Sequence, residues 1–434
     1  MNSKTANAVS TLRVARLSVA LLLAINMFNY VDRVVLAQVQ PQIEEAFLAG
    51  AKDAKSSSGD LAMAFLLSYM CTAPLFGWLA DRMSRWKLIG MAVIVWSLAS
   101  GASGLAASFT MLLVTRLFVG IGEAAYGPAA PTIIADLFPI KRRGSVLAWF
   151  YVAIPVGGAL GYAFAGVVAA MWNWRWAFYL VAPPGIVLGL LCFMMPEPVR
   201  GAAETEADAP ARPATGRRGR LDNYLALLRT PSYLWNTAGM AAMTFAIGGV
   251  SFWMPAYIHQ FNPRAHPGSD GLIFGALTAV AGLSATLLGM LTADRLSPRY
   301  PGAYFLVSGI AMLLGFPCFL LVLATPFDWL WSGPLIFLAE FCLFFNTGPT
   351  NTIIANVTHP SIRSTAFAFN IFIIHLLGDA ISPKLMGTLS DLYDGNMKVG
   401  FLAVSGALLV GGICWLLGTR HLERDTRLAP TRMA

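Results

Sequence analysis

Charged residues are scarce in this chain of 434 residues, where Asp, Glu, Lys and Arg make up 12 % and hydrophobic residues 57 %. A soluble globular protein carries about 25 % charged residues. The remaining charges are concentrated in short segments between long apolar runs, and one soluble core cannot hold so many runs. A bilayer can, because its hydrocarbon layer of roughly 30 Å takes about 20 apolar residues per helix. Composition therefore predicts an all-α polytopic membrane protein.

Cysteine is also rare, with five residues in the chain. Each lies inside an apolar run and none has metal-ligand spacing, which argues against disulfides and zinc. The sequence lacks a Ser-His-Asp grouping, a Gly-rich phosphate loop and an H-E-x-x-H pattern, so nothing in it supports a membrane-embedded enzyme. We expect no cofactor and no metal.

The net charge of +8 does not indicate nucleic-acid binding, because Lys and Arg recur in alternate loops rather than in one patch. This distribution follows the positive-inside rule and predicts that both termini are cytoplasmic. The polar segment Met1–Arg16 precedes a full-length apolar run without a small-residue cleavage site, so that run is predicted as a first span and not a signal peptide. Short loops and tails favour a bacterial inner (plasma) membrane.

Apolar runs predict twelve spans, divided six and six by one long polar stretch. We expect an N-terminal bundle at 1–196, a flexible cytoplasmic linker at 197–230 and a C-terminal bundle at 231–434; two such halves around a midplane site are typical of secondary transporters. The predicted spans are Leu17–Gln38, Leu61–Leu79, Leu88–Ala107, Thr110–Ala135, Val146–Ala170, Trp176–Met195, Tyr233–Tyr257, Gly271–Thr292, Tyr304–Leu323, Trp329–Ile354, Thr365–Leu389 and Val399–Leu417.

The loop after the second span reads G-W-L-A-D-R-M-S-R-W-K from Gly77 to Lys87. It resembles the G-x-L-A-D-R-x-G-R-x-K motif of the major facilitator superfamily, with Ser84 in place of the second glycine, and a weaker copy follows span eight. The resemblance implies twelve helices in two pseudo-symmetric bundles that work by alternating access. It also implies a cytoplasmic gate motif, formed here by Gly77, Asp81, Arg82 and Arg85; the alternative is that these charges only set topology.

Within that superfamily the chain resembles the spinster family of lysolipid and sphingolipid transporters. Four segments carry the resemblance, beginning at Asn29, Gly120, Ile133 and His375: N-Y-V-D-R, G-I-G-E-A-A-Y-G-P, I-I-A-D-L-F-P and H-L-L-G-D-A-I-S-P. The resemblance implies a monomeric transporter surrounded by membrane lipids, with a lysophospholipid or sphingoid amphiphile as substrate. The alternative is a proton-coupled symporter for a small organic anion.

Ionisable residues inside spans are expected to border a polar passage, since a charge at membrane depth is costly. We predict Asp32 and Glu123 as proton-coupling carboxylates, with Arg33 and Arg116 as charge partners or substrate ligands. Asp32 and Arg116 are expected at similar depth and could pair. The alternative is a static ion pair that holds spans one and four together.

Further cavity candidates are polar or aromatic residues within spans, divided between the two halves. Glu340 could face the cavity or pair with Lys384, and the i, i+4 spacing of His375 and Asp379 predicts contact, with either a structural or a transport role. The apolar-aromatic character of spans seven and ten would suit an amphipathic substrate, although these rings could simply pack. The candidates are Tyr30, Tyr126, Trp253, Glu340, Phe344, His375 and Asp379.

Overall fold

The computed structural model describes residues 3–138, 140–199, 220–359 and 362–431, and within these ranges the regular structure is helical throughout. The α-helices, numbered in chain order, are α1 Ser3–Phe47, α2 Ala54–Ala80, α3 Arg85–Gly104, α4 Phe109–Glu123, α5 Tyr126–Leu137, α6 Ile140–Met171, α7 Trp174–Cys192, α8 Arg220–Leu228, α9 Pro231–Phe261, α10 Pro267–Leu296, α11 Ala303–Ala324, α12 Trp329–Phe344, α13 Thr347–Val357, α14 Arg363–Ile374, α15 Ser382–Asp391 and α16 Met397–Leu428.

Twelve helical segments in the described ranges are long and apolar enough to cross a membrane, which confirms the predicted number of spans. Several helices run beyond their apolar segments; α1 extends over Ser3–Phe47, whereas hydropathy predicted Leu17–Gln38. Hydropathy measures only the part of a helix that matches hydrocarbon, and a helix can continue into the polar interface beyond it.

Spans four, ten and eleven are discontinuous, which corrects the prediction of unbroken helices there. Span four stops at Glu123 and resumes at Tyr126, and span ten stops at Phe344 and resumes at Thr347. In both cases a Gly-Pro pair follows at once, and proline favours the first turn of a new helix because it has no N–H to donate. Span eleven consists of α14, a π-helical turn at His375–Asp379 and α15, which starts beside Pro383.

Packing divides the chain into two compact units. The first contains Met1–Phe47, Ala64–Arg212 and Pro267–Gly275, and the second contains Leu48–Met63, Pro213–His266 and Ala276–Ala434. In the first unit α1 packs along α6, and α3 packs against α4 and α7; in the second α16 packs against α9 and α11.

The predicted linker is helical at its end, because Arg220–Leu228 forms α8. That finding corrects the expectation of a flexible segment for those residues. Residues 200–219 of the predicted linker lie outside the described ranges, and the bundle boundaries at 196 and 231 stay a prediction.

Close packing of α6 on α1 depends on Gly157 and Gly161 of α6. A Cβ placed on Gly161 would lie 2.2 Å from Val34 Cγ2 and 2.8 Å from the Val31 carbonyl oxygen. A Cβ on Gly158 would meet nothing within 4 Å. The glycine at 161 therefore fixes the distance between α6 and the part of α1 that carries Asp32 and Arg33.

These two neighbouring glycines give a matched test of that packing. Gly161→Ala should destabilise the protein by about 1–3 kcal/mol, since an overpacked interface must separate. Gly158→Ala should be neutral or stabilising by up to about 1 kcal/mol, because alanine is the better helix former. Thermal unfolding of the purified protein in detergent measures both, and equal melting temperatures for the two variants would contradict the assigned contact.

Candidate functional site

A buried ion pair joins α1 to the point where span four breaks. Arg33 Nε donates to Glu123 Oε2 across 2.6 Å. The Glu123 side chain is fully buried, whereas the Arg33 side chain is 26 % exposed. Glu123 is the last residue of α4, so its backbone carbonyl lies at a helix end where the chain bends away. The accessible member of the pair is thus the arginine.

Aromatic rings surround the Arg33 guanidinium on its other sides. Its Cζ lies 5.1 Å from the ring centroid of Tyr30, 5.2 Å from that of Phe65 and 5.5 Å from that of Tyr69. Such distances allow cation–π attraction of about 0.5–2 kcal/mol per ring. Tyr30, predicted as a cavity residue, therefore belongs to an aromatic cage around a cation, together with Phe65 and Tyr69 from α2.

Asp32 and Arg116 lie in the same unit, but each is held by a serine of α3. The Ser100 hydroxyl donates to Asp32 Oδ1, and the guanidinium of Arg116 donates to the Ser103 hydroxyl. Ser103 also shares a hydrogen bond of 2.8 Å with Thr115. Asp32 and Arg116 form no direct ion pair with each other in the described structure, so the pairing that the sequence left possible is not made. The direct ion pair joins Arg33 to Glu123 instead.

A small cavity lies beside Asp32 inside the first unit. Its polar lining consists of Asp32, Ser97 and Ser100, and its apolar lining includes Trp96 and Phe28. Asp32 Oδ2 is buried and has no hydrogen-bond partner among the described residues. One oxygen of the carboxylate is therefore bound to serine, and the other has no hydrogen-bond partner in a residue that lines this cavity.

Sequence reasoning missed the serines of α3 that organise this site. Ser97, Ser100 and Ser103 recur every third residue within an apolar span and are buried. Residues three apart share a helix face, so the spacing was a readable signal of a polar stripe. Serine carries no charge, however, and a search for ionisable residues passes over it.

The loop between α2 and α3 forms a network centred on Arg85. Its guanidinium contacts Asp136 across 2.5 Å and Glu197 across 2.8 Å, and its side chain is 4 % exposed. Glu197 also accepts from Ser84, so Arg85 joins the start of α3 to the end of α5 and to the segment after α7. Asp136 and Glu197 are partners that the sequence did not reveal.

The other members of the predicted gate motif lie at the surface. Asp81 and Arg82 are exposed, and the guanidinium of Arg82 stacks 4.1 Å from the ring centroid of Trp78. Gly77 is half-buried in α2, and a Cβ there would reach Pro128 only at 3.9 Å. The gate role of Asp81 stays a prediction.

The second unit brings His375 and Asp379 together, as their spacing predicted. His375 Nδ1 lies 2.9 Å from Asp379 Oδ1, on the π-helical turn of span eleven. Gly378 in this turn has φ −104° and ψ −106°, which is not helical. Intramembrane π-turns free backbone groups and recur at functional sites, so this pair lies at an irregular point of its span, as Glu123 does.

Glu340 and Lys384, which the sequence left as possible partners, have separate ones. Thr278 donates to Glu340 Oε1 across 3.1 Å, and Glu340 is 2 % exposed. Lys384 Nζ lies 2.7 Å from Asp60 Oδ2 at the start of α2. Of the two alternatives that the sequence left open for Glu340, the pairing with Lys384 is therefore not made.

Two of the aromatic cavity candidates are interior packing residues, which corrects their predicted role. The Tyr126 hydroxyl donates to the Leu22 carbonyl across 2.6 Å, and Trp253 Nε1 donates to the Pro383 carbonyl across 2.9 Å. Both rings are buried. Phe344, at the end of α12, is half-buried, and its role as a cavity residue stays a prediction.

Comparison with known proteins assigns the chain to a family. Residues 22–383 match the family model of the Major Facilitator Superfamily. The chain is 38 % identical over 440 residues to protein spinster homolog 1 of Homo sapiens, covering 95 % of this chain and 82 % of the relative. It is 34 % identical over 443 residues to human protein spinster homolog 3, covering 95 % and 84 %.

Two solved structures share the fold. A bacterial homolog of the human lysosomal transporter spinster, crystallised in an inward-facing and unoccupied conformation, superposes with a TM-score of 0.78 at 20 % identity, covering 96 % of this chain and 98 % of that one. A D-xylose-proton symporter superposes with a TM-score of 0.71 at 17 % identity, covering 92 % and 96 %.

The Arg85 network predicts unequal effects for two arginines of one loop. Arg85→Ala should destabilise the protein by about 1.5–3 kcal/mol, because it removes charge-assisted hydrogen bonds to the half-buried Asp136 and to Glu197. Arg82→Ala removes the same charge from the same loop but should cost about 1 kcal/mol or less, since its stacking is exposed. Thermal unfolding in detergent separates the two; similar losses would show that Arg85 contributes only loop charge.

Proposed function

This chain belongs to the major facilitator superfamily and to its spinster family, and on that premise we propose that it couples proton movement to the transport of an amphipathic, lipid-like molecule. The chain is an integral membrane transporter with twelve apolar spans. The finer proposal rests chiefly on one observation: the buried Arg33–Glu123 ion pair, whose arginine alone is accessible.

A proton provides a simple way to open that pair. Glu123 can carry a charge in the protein interior only while Arg33 compensates it, because an unpaired buried carboxylate is strongly disfavoured. Protonation of Glu123 removes the negative charge and leaves Arg33 without an anion. An anionic group of the substrate can then take the place of the carboxylate on the Arg33 guanidinium, while the proton stays on Glu123.

Asp32 provides a second carboxylate close to this exchange. It is bound to Ser100 of α3 and faces the small cavity, while Arg116 is bound to Ser103. Each residue is hydrogen-bonded to a neutral hydroxyl group and not to an opposite charge. We therefore propose that Asp32, together with Arg116, forms a proton relay beside the Arg33–Glu123 pair.

The amphipathic substrate follows from the surroundings of Arg33. A guanidinium binds phosphate or carboxylate oxygens in a fork geometry, and the rings of Tyr30, Phe65 and Tyr69 provide an apolar wall beside it. A headgroup anion with an attached acyl or sphingoid chain matches both features. A small organic anion matches the guanidinium alone, and an inhibitor series distinguishes the two.

We place the transporter in a bacterial inner membrane as a monomer with both termini in the cytoplasm. The orientation is supported by the enrichment of Lys and Arg in alternate loops, including the one that carries Arg82, Arg85 and Lys87.

Substitution of Glu123 tests proton coupling. In proteoliposomes, Glu123→Gln should lose uptake driven by a pH gradient and keep substrate exchange at equal pH, because the amide cannot carry a proton. Glu45→Gln, on the exposed end of α1, is the matched control and should behave as the unchanged protein. Full pH-driven uptake by Glu123→Gln would remove Glu123 from the coupling role.

Arg33→Lys in the same assay tests the exchange site. It retains the positive charge but loses the fork, and a lost hydrogen bond to a charged group costs about 1.5–3 kcal/mol, or roughly ten- to hundredfold in apparent affinity.

A homologous inhibitor series tests the substrate class. If the chain of the amphiphile is buried in the protein, each added methylene should strengthen competition by about 0.8 kcal/mol, or about fourfold, until the apolar site is full. Inhibition constants of lysophospholipids of increasing acyl length, measured in detergent of constant composition, give this slope. A flat series in which glycerophosphate competes as well as the longest lipid would support the organic-anion symporter instead.

A further inference from the structure

Glu340 is a buried carboxylate of the second unit. It lies on α12, one turn before the break in span ten. Thr278 of α10 donates to its Oε1 across 3.1 Å, while its Oε2 is buried and has no hydrogen-bond partner among the described residues. The carboxyl group therefore has one neutral donor for two oxygens.

No described cation neutralises Glu340. The candidate partner Lys384 is paired with Asp60 at 2.7 Å. The segments around α12 are α9, α10 and α11, and their titratable groups lie mostly near helix ends. These groups are His259, Tyr233 and Tyr257 on α9, Asp270, Asp294 and Arg295 on α10, and Tyr304 and Cys318 on α11, besides Asp328 and Cys342 at or on α12 itself. Asp270 and Asp294 are eight and sixteen residues from Thr278, or about 12 and 24 Å along the helix.

An ionised carboxylate in this position would be unpaired within the protein at membrane depth, which is strongly disfavoured. A bound metal cation could compensate it, but hard cations require about six oxygen ligands, and here one threonine hydroxyl accompanies the carboxyl group. A proton requires no further ligand. A protonated carboxyl group keeps a carbonyl oxygen that accepts from Thr278 and gains an O–H on the other oxygen.

We propose that Glu340 and Thr278 form a second proton-binding site, in which Glu340 holds a proton and Thr278 holds the carboxyl group. The site goes beyond the Glu123 exchange, since it lies in the other unit and uses different helices. It deepens the proposed function, because a second proton contributes to transport only if transport is proton-coupled. Release of this proton requires a counter-charge or water to reach Oε2, which separation of α10 from α12 would allow.

Infrared spectroscopy detects this proton without any transport assay. A protonated carboxylic acid has a C=O stretching band distinct from the carboxylate bands. In the purified full-length protein, Glu340→Gln should remove one such band. Asp60→Asn is the matched control in the same unit and should leave the band unchanged, because Asp60 is ion-paired with Lys384.

Thr278→Val tests the geometry. It removes the hydroxyl that donates to the carbonyl oxygen, so the Glu340 band should move to higher frequency without disappearing. The substrate provides a further test: a saturating lysophospholipid should change the intensity of this band in the unchanged protein.

Three outcomes would overturn the proposal. One is a set of acid bands that Glu340→Gln leaves unchanged, which would place the proton elsewhere. Another is an acid band absent from the unchanged protein in potassium buffer together with stabilisation by sodium, which would make Glu340 a cation ligand. The third is a band that responds neither to pH nor to substrate, which would make the proton permanent. Loss of coupling in Glu123→Gln is measured separately, so failure of the proposed function and failure of this site are distinguishable.

Discussion

The cost of an uncompensated charge in the protein interior governs the arrangement of this transporter. Glu123 is completely buried, so its charge depends on the guanidinium of Arg33 at 2.6 Å. Gly161 sets the distance of α1 from α6, and with it the place of Arg33. In the proposed mechanism this ion pair opens in response to either of two events, the arrival of a proton on Glu123 or of an anion on Arg33.

Irregular backbone and intramembrane charge coincide in this fold. Glu123 ends α4 at the break in span four, Glu340 lies one turn before the break in span ten, and His375 and Asp379 occupy the π-helical turn of span eleven. Broken spans expose backbone groups that lipid cannot satisfy, so such breaks are found where protein or a polar passage surrounds them. The same conditions make a carboxylate tolerable, which explains why both features share these positions.

The number of spans, and which ionisable residues lie inside them, could be predicted from the sequence, because both follow from composition within short windows. The sequence also predicted the partner of His375 on the same helix, but not the partners that lie on other helices. Asp32 and Arg33 point about 100° apart on one helix, and sequence alone does not fix the rotation of α1 against α3 and α4. That rotation directs Arg33 to Glu123 and Asp32 to Ser100, whereas Arg116 was expected opposite Asp32. The same limitation applies to Trp253, whose buried hydrogen bond to Pro383 depends on a distant span.

Glu123 and Glu340 differ in how they are neutralised, and in the proposed mechanism this difference gives the transport cycle a charge balance. In the first unit Glu123 is compensated by a fixed cation, so adding a proton there leaves a net positive charge. In the second unit Glu340 has no cation in the described structure, so removing the proposed proton there leaves a net negative charge. In the proposed mechanism a headgroup anion bound to Arg33 would restore neutrality in the first unit, and water or a cation would do so in the second. Substrate binding and proton release would then be linked by the same requirement, that no buried charge stays uncompensated while the spans move.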